Sequence, residues 1–203
     1  MDLRSAIDQA IASAAGHDDI VALLKQAEDK IPSAMPTLTT PPFVHPAWPH
    51  DDTNAKNAYY GNFLDKGWSD VNLVHMFPPF TMYYEKQPLG HGLLVHKLIV
   101  NALQAAFGQI WDKCNHDQKQ VDATGASDWG GCFNIRAIAG SNSYSNHSWA
   151  CAVDISPSTN GFRYDASTTL AHPVIDAFKR QGFRWGGDYH GRTDPMHFEA
   201  VTP

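Results

Sequence analysis

The run SYSNHSWACAVD, Ser143 to Asp154, starts as a polar loop and ends as a strand. Serine and asparagine favour turns because their side chains compete for nearby backbone hydrogen bonds. From Trp149 to Ile155 the chain turns apolar and small, and is expected to be extended. Alternate strand residues share a face, so Ala150, Ala152 and Asp154 should point the same way. The small residues leave room for the acid to reach into a cleft. His147, on the loop seven residues earlier, can converge on the same point.

A second run, WGGDYHGRTDPMHFE from Trp185 to Glu199, is built alike. Asp194 and His197 straddle Pro195, which holds the chain extended as a last strand, Met196 to Val201, begins. A third strand is expected from Cys132 to Ile138. A helix from Thr168 to Arg180, closed by Gly182, separates the second strand from the last. Upstream, GLLVHKLIVNALQAAFGQIWDK (92–113) has the strongest helical pattern, with Leu94, Leu98, Leu103, Phe107 and Ile110 near helical spacing. Residues 54–88 are aromatic and turn-rich, without a clean period, and read as loops. The order of these elements predicts an α+β fold, a small antiparallel sheet flanked by helices.

Two short amphipathic helices are expected at 2–15 and 18–30. Six prolines between Ile31 and Pro49 exclude regular structure there and suggest an extended arm. The reading divides the chain into a helical and proline-rich appendage, 1–50, and a main domain, 51–203. At 203 residues and 43% hydrophobic composition, there is enough apolar chain for one real core. A net charge of −6 offers no electrostatic footprint for nucleic acid. No window approaches the ~20 apolar residues of a membrane span, and the first residues lack the basic and apolar regions of a secretory signal. The expectation is a monomer made in the cytoplasm, without membrane insertion. Cys114, Cys132 and Cys151 are too few and too far apart for a disulfide scaffold or a thiolate zinc site.

Alone, a histidine in a Ser/Asn-rich loop is usually solvated, and Asp-Pro is a common turn starter. Arg136 by itself reads as a partner in an ion pair. Together the residues read differently. Two histidines and a carboxylate, His147, Asp154 and His197, suit a zinc ion and leave a fourth position for water. Asp194 would serve as general acid and base, and Arg136 would stabilise the oxyanion. Asp188, Tyr189 and His190 lie in the loop before Asp194 and are candidates for lining a substrate cleft. His75, His91 and His96 read as ordinary core or surface groups, and Trp149 and Trp185 as packing residues.

These stretches resemble the D-alanyl-D-alanine carboxypeptidase (VanY-like) family of zinc peptidases, which includes L-alanyl-D-glutamate endopeptidases used as phage endolysins. Its wider superfamily takes in lysostaphin-type enzymes and the hedgehog signalling domain. The family pattern S-x-H-x-x-G-x-A-x-D is matched at Ser145, His147, Ala152 and Asp154. The later D/E-x-x-H is matched at Asp194 and His197, with Arg136 as the upstream arginine. The glycine of the pattern is Ala150 here, tolerable if φ is negative. The WGG and DPMHFE runs are similar to the endopeptidase branch.

The resemblance covers roughly residues 90–200 and implies a hedgehog/D-Ala-D-Ala peptidase-like fold with a zinc site in a cleft. It also implies peptidoglycan stem peptides as substrates, action on the cell wall, and Ser145 near the substrate. Its expected activity is that of an L-alanyl-D-glutamate endopeptidase. A D-alanyl-D-alanine carboxypeptidase and a zinc-stabilised binding domain without activity are the alternatives.

Overall fold

A computed structural model describes residues 47–203 apart from Ala139 and Ala166, together with Ala22. The chain divides into two units, Met1–Pro42 and Phe43–Pro203, and every element below belongs to the second. The helices expected at 2–15 and 18–30, and the arm as far as residue 46, lie outside the described residues except for Ala22, which is helical.

The architecture is α+β, with small antiparallel sheets and several helices. Helix α1 (Thr53–Tyr60) is capped by Asp52, whose side chain accepts from the Ala55 amide at 2.9 Å. After α2 (Trp68–Asn72), strand β1 (Leu73–Met76) pairs with β4 (Leu93–His96), with the hairpin β2 (Tyr83–Tyr84) and β3 (Gln87–Pro88) between them. Residues 54–88 are therefore structured where loops were expected. The helices are one to two turns long, too short to leave a readable period, and tertiary contacts hold them instead. Trp68 donates its indole N–H to the Tyr60 carbonyl, and the Tyr60 hydroxyl donates to Ala200.

The long helix also begins later than its pattern suggested. Leu93–His96 is strand and Lys97–Ile99 a 3-10 turn, so helix α3 runs only from Val100 to Lys113. The apolar run continues through strand and helix because both bury residues in the same core. Leu103, Phe107 and Ile110 are buried on α3, whereas Leu94 and Leu98 are exposed. A short α4 (Gln118–Thr124) follows.

The sheet that positions the site has four antiparallel strands in the order β5 (Trp129–Gly131), β6 (Ala152–Ile155), β8 (His197–Glu199) and β7 (Arg184–Trp185). The first strand lies ahead of Cys132 rather than over 132–138, where only Ala137 bridges to Tyr144. Helix α5 (His172–Arg180) starts four residues later than expected. Its C-cap is Gln181, and Gly182 follows at φ +81°. Glycine there meets the left-handed turn at the helix end without a Cβ penalty.

The two faces of the sheet are chemically distinct. In register, Ala152 lies opposite Glu199, Val153 opposite Phe198 and Asp154 opposite His197. Val153 and Phe198 face the helices, where Phe198 stacks on Phe178 at 4.3 Å and Phe178 meets Phe107 edge-on at 5.6 Å. Burying such a ring contributes roughly 1.5–3 kcal/mol. The alternate residues bring the polar side chains together on the other face.

Candidate metal centre and active site

The turn that carries His147 is a 3-10 helix, Asn146–Trp149, capped by Ser145, whose Oγ accepts from the His147 amide. Segment 134–136 is tied to this turn. The Asn134 amide donates to the His147 carbonyl, the Ser145 amide donates to the Arg136 carbonyl, and Ser148 Oγ bonds both backbone groups of Arg136. The turn ends at Ala150 with φ +50° and ψ +32°. Ala150 is thus neither extended nor part of β6, which starts at Ala152. The condition of a negative φ is not met, and Ala150 takes the left-handed conformation that favours glycine.

Three side chains converge. His147 Nε2 lies 3.2 Å from His197 Nδ1 and 3.3 Å from Asp154 Oδ2, and His197 Nδ1 lies 3.0 Å from Asp154 Oδ1. All three residues are buried. These separations suit a tetrahedral zinc site, whose bonds of about 2.0–2.1 Å place neighbouring ligand atoms about 3.3 Å apart. The far ring nitrogens are both held. His147 Nδ1–H donates to the Cys132 carbonyl at 2.7 Å, and His197 Nε2–H donates to Glu199 Oε2 at 3.2 Å. Each bond turns the other ring nitrogen toward the shared point, as metal-binding imidazoles require. The donor set therefore fits the ion.

The acids and histidines around this point shift one another. Burial raises the Asp154 carboxyl, but hydrogen bonds and charge from His147 and His197 outweigh it and hold the group well below the usual range. Burial would lower His197, yet hydrogen bonds to Asp154 and Glu199 raise it to about 10. Glu199 is likewise raised by burial and brought down to about 2 by His197, Tyr189 and Asn146.

Asp194 is the acid set apart. Its backbone is fixed by its amide N–H, which donates to the Gly186 carbonyl at 2.9 Å, and a Cβ on Gly186 would lie 2.4 Å from the Asp194 carbonyl oxygen. Among the described residues nothing hydrogen-bonds its buried Oδ1. Burial raises its pKa to about 6, against the lowering charges of His197, His147 and Arg136, with the Asp154 charge adding to the rise. A buried carboxylate with an unused oxygen beside two histidines and an acid is suited to carrying a proton.

A cleft of about 290 Å³ opens beside the cluster, lined by Arg136, Ser145, Tyr189, Asp194, His197 and Glu199 together with the exposed Ile138, Phe162 and Arg192. Arg136 is exposed on it. The structure divides the remaining candidates. Ser145 and Tyr189 line the cleft, Ser145 chiefly as a cap and Tyr189 through its hydroxyl on Glu199. Asp188 and His190 are exposed and do not line it, and Asp188 pairs with Lys179 at 2.6 Å.

His96 is buried between Tyr60 and Trp68, with its Nε2–H on the Tyr60 carbonyl, while His75 and His91 stand together as exposed rings. Trp149 donates to Asn57 and Trp185 to the Pro195 carbonyl, so both are anchored in packing. Glu199, Asn146 and the Cys132 carbonyl also contact the cluster or its supports, although the sequence pattern does not mark them. Strand alternation from His197 to Glu199 is the one signal that points to the first of them.

Residues 139–200 match the family model of D-alanyl-D-alanine carboxypeptidase. The matched segment contains His147, Asp154, Asp194, His197 and Glu199, and leaves Arg136 and helices α1 to α4 outside. The match supports a peptidase, and the His147–Asp154–His197 cluster is one that could hold a metal ion. No solved structure matches the chain.

Proposed function

We propose that the chain is a zinc-dependent peptidase acting on the stem peptides of peptidoglycan. The observation that carries this reading is the convergence of His147, Asp154 and His197 with Asp194 beside them. His147 through Nε2, His197 through Nδ1 and one Asp154 carboxylate oxygen would hold the ion. Bound there, zinc would supply a Lewis acid for the scissile carbonyl and lower the pKa of a coordinated water.

The residues of the chain do the rest. Asp194, ionised above about pH 6, accepts a proton from the attacking water on its carboxylate. The same oxygen then returns that proton to the departing amine. The Arg136 guanidinium, exposed on the cleft, counters the negative charge gathering on the carbonyl oxygen. Glu199 and the Cys132 carbonyl keep both imidazoles in the tautomer that binding needs.

Within this class we favour an L-alanyl-D-glutamate endopeptidase, on the likeness of the WGG and DPMHFE runs to that branch. The zinc fold would then be of the hedgehog/D-Ala-D-Ala peptidase kind, and the setting the cell wall. The description of the matching family favours a second reading, removal of a terminal D-alanine, for which Arg136 or Arg192 would meet the chain-end carboxylate. Mass spectrometry of digested muropeptides separates the two. New amino termini on D-glutamate support the endopeptidase, whereas free D-alanine without them supports the carboxypeptidase. Muropeptides left intact by zinc-loaded protein would reject both and leave a non-catalytic binding domain.

A further inference from the structure

We infer that Glu199 is a positioning residue that sets the zinc affinity of His197, and that Asn146, Tyr189 and Arg184 are its supports. The inference rests on the zinc reading above and concerns residues that bear no ligand atom. Glu199 is 3% exposed, and a buried carboxylate without partners costs several kcal/mol. Here every side of it is engaged. Oε2 accepts from His197 Nε2–H at 3.2 Å and from Asn146 Nδ2–H at 2.7 Å, and Oε1 accepts from the Tyr189 hydroxyl and pairs with Arg184 at 3.1 Å. Asn146 is oriented in turn by the buried Lys56, whose ammonium donates to its Oδ1 at 2.6 Å and to Asp51 at 2.8 Å.

This construction is more than a core needs. Replacing a buried ionic cluster by apolar side chains is often neutral or stabilising, so folding alone does not call for a carboxylate here. What the carboxylate does supply is a fixed acceptor for His197 Nε2–H. That acceptor keeps Nδ1 facing the point shared with Asp154 and His147 and makes the imidazole a stronger metal donor once Nδ1 has lost its proton. Lys56 and Asp51 belong to the stretch around α1, so His197 is steadied from outside the matched residues 139–200.

The test uses the whole chain. Zinc affinity is measured by competition with a chelating dye, and cobalt(II) absorption bands report the ligand field. Glu199→Gln keeps the shape and removes the charge. It is expected to fold, by far-UV circular dichroism without metal, to bind zinc about 10–100-fold more weakly, and to shift the cobalt bands. If Glu199→Gln does not fold, Tyr189→Phe is read instead, with a smaller loss and shift in the same direction. A folded variant with wild-type affinity or unshifted bands overturns the inference. Wild-type protein that takes up neither metal overturns the peptidase reading along with it, whereas wild-type uptake beside an unaltered variant overturns this inference alone.

Discussion

Asp154 and His197 are direct partners across the β6–β8 ladder, and their side chains meet at 3.0 Å. The ladder itself, rather than a flexible loop, sets two of the three candidate ligands at binding distance, so the pair is preorganised. His147 completes the set from a capped turn. Asp154→Ala should therefore weaken zinc binding at least about tenfold while leaving the Phe198–Phe178 side of the sheet intact. Equilibrium dialysis read alongside near-ultraviolet circular dichroism checks this, and a variant that binds zinc as tightly as wild type would remove Asp154 from the ligand set.

Asp194 should separate binding from chemistry. Asp194→Asn preserves the shape and the Gly186 contact but cannot take up a proton. Hydrolysis is expected to fall about 10²–10⁴-fold with zinc content unchanged. Retained activity would assign the proton transfer to another group.

The pH profile follows from the same acid. Its pKa is raised to about 6, and only the ionised form acts as a base, so kcat/KM should climb as the pH rises toward and through 6. A bound dication favours the carboxylate, so the limb should lie at or below 6 and disappear in Asp194→Asn. A profile flat from pH 4.5 to 7 would argue against this base.

In metal-free protein His197 carries a proton, with its pKa raised to about 10. That proton must leave before Nδ1 can bind, so zinc affinity should increase with pH below 10, with about one proton released per ion. The folding linkage has the opposite sign. A pKa raised above its unfolded value near 6.5 stabilises the fold fully below that pH, and the gain is lost as the pH rises through 10. Calorimetry in two buffers of different ionisation enthalpy measures the release, and thermal melting of the metal-free protein from pH 7 to 10 measures the loss.

Ala150 tests the turn between loop and strand. In the left-handed region glycine relieves about 1–2 kcal/mol of backbone strain, but it gives up roughly 0.8 kcal/mol of buried methyl and adds chain entropy. Ala150→Gly should stay within about 1 kcal/mol of wild type. Ala150→Val, β-branched and fully buried, should cost about 2–4 kcal/mol. Urea denaturation of both variants decides it, and equal stability of all three proteins would contradict the backbone geometry.

The grouping of the candidate site was legible because its signals are local. The seven-residue step from His147 to Asp154 and the three-residue step from Asp194 to His197 each cross one loop-to-strand junction. The fold class followed from the order of the same segments. What escaped depends on distant contacts. Lys56 reaches Asn146 across 90 positions, and α1 is held by Tyr60 and Asp52 rather than by an apolar stripe. Leu93–His96 reads as helix because its apolar run continues into α3, yet it pairs with β1. Asp188 and His190 sit beside Tyr189 in sequence, but only Tyr189 turns inward, a choice made by Glu199 and Arg184.

Zinc content and muropeptide cleavage, measured on the same preparations of wild type and Asp194→Ala, probe the centre most directly. Both proteins should hold about one zinc per chain, with cleavage by wild type only. Wild-type protein that takes up no zinc on reconstitution, or holds zinc and leaves every muropeptide intact, would contradict a zinc peptidase built on His147, Asp154 and His197.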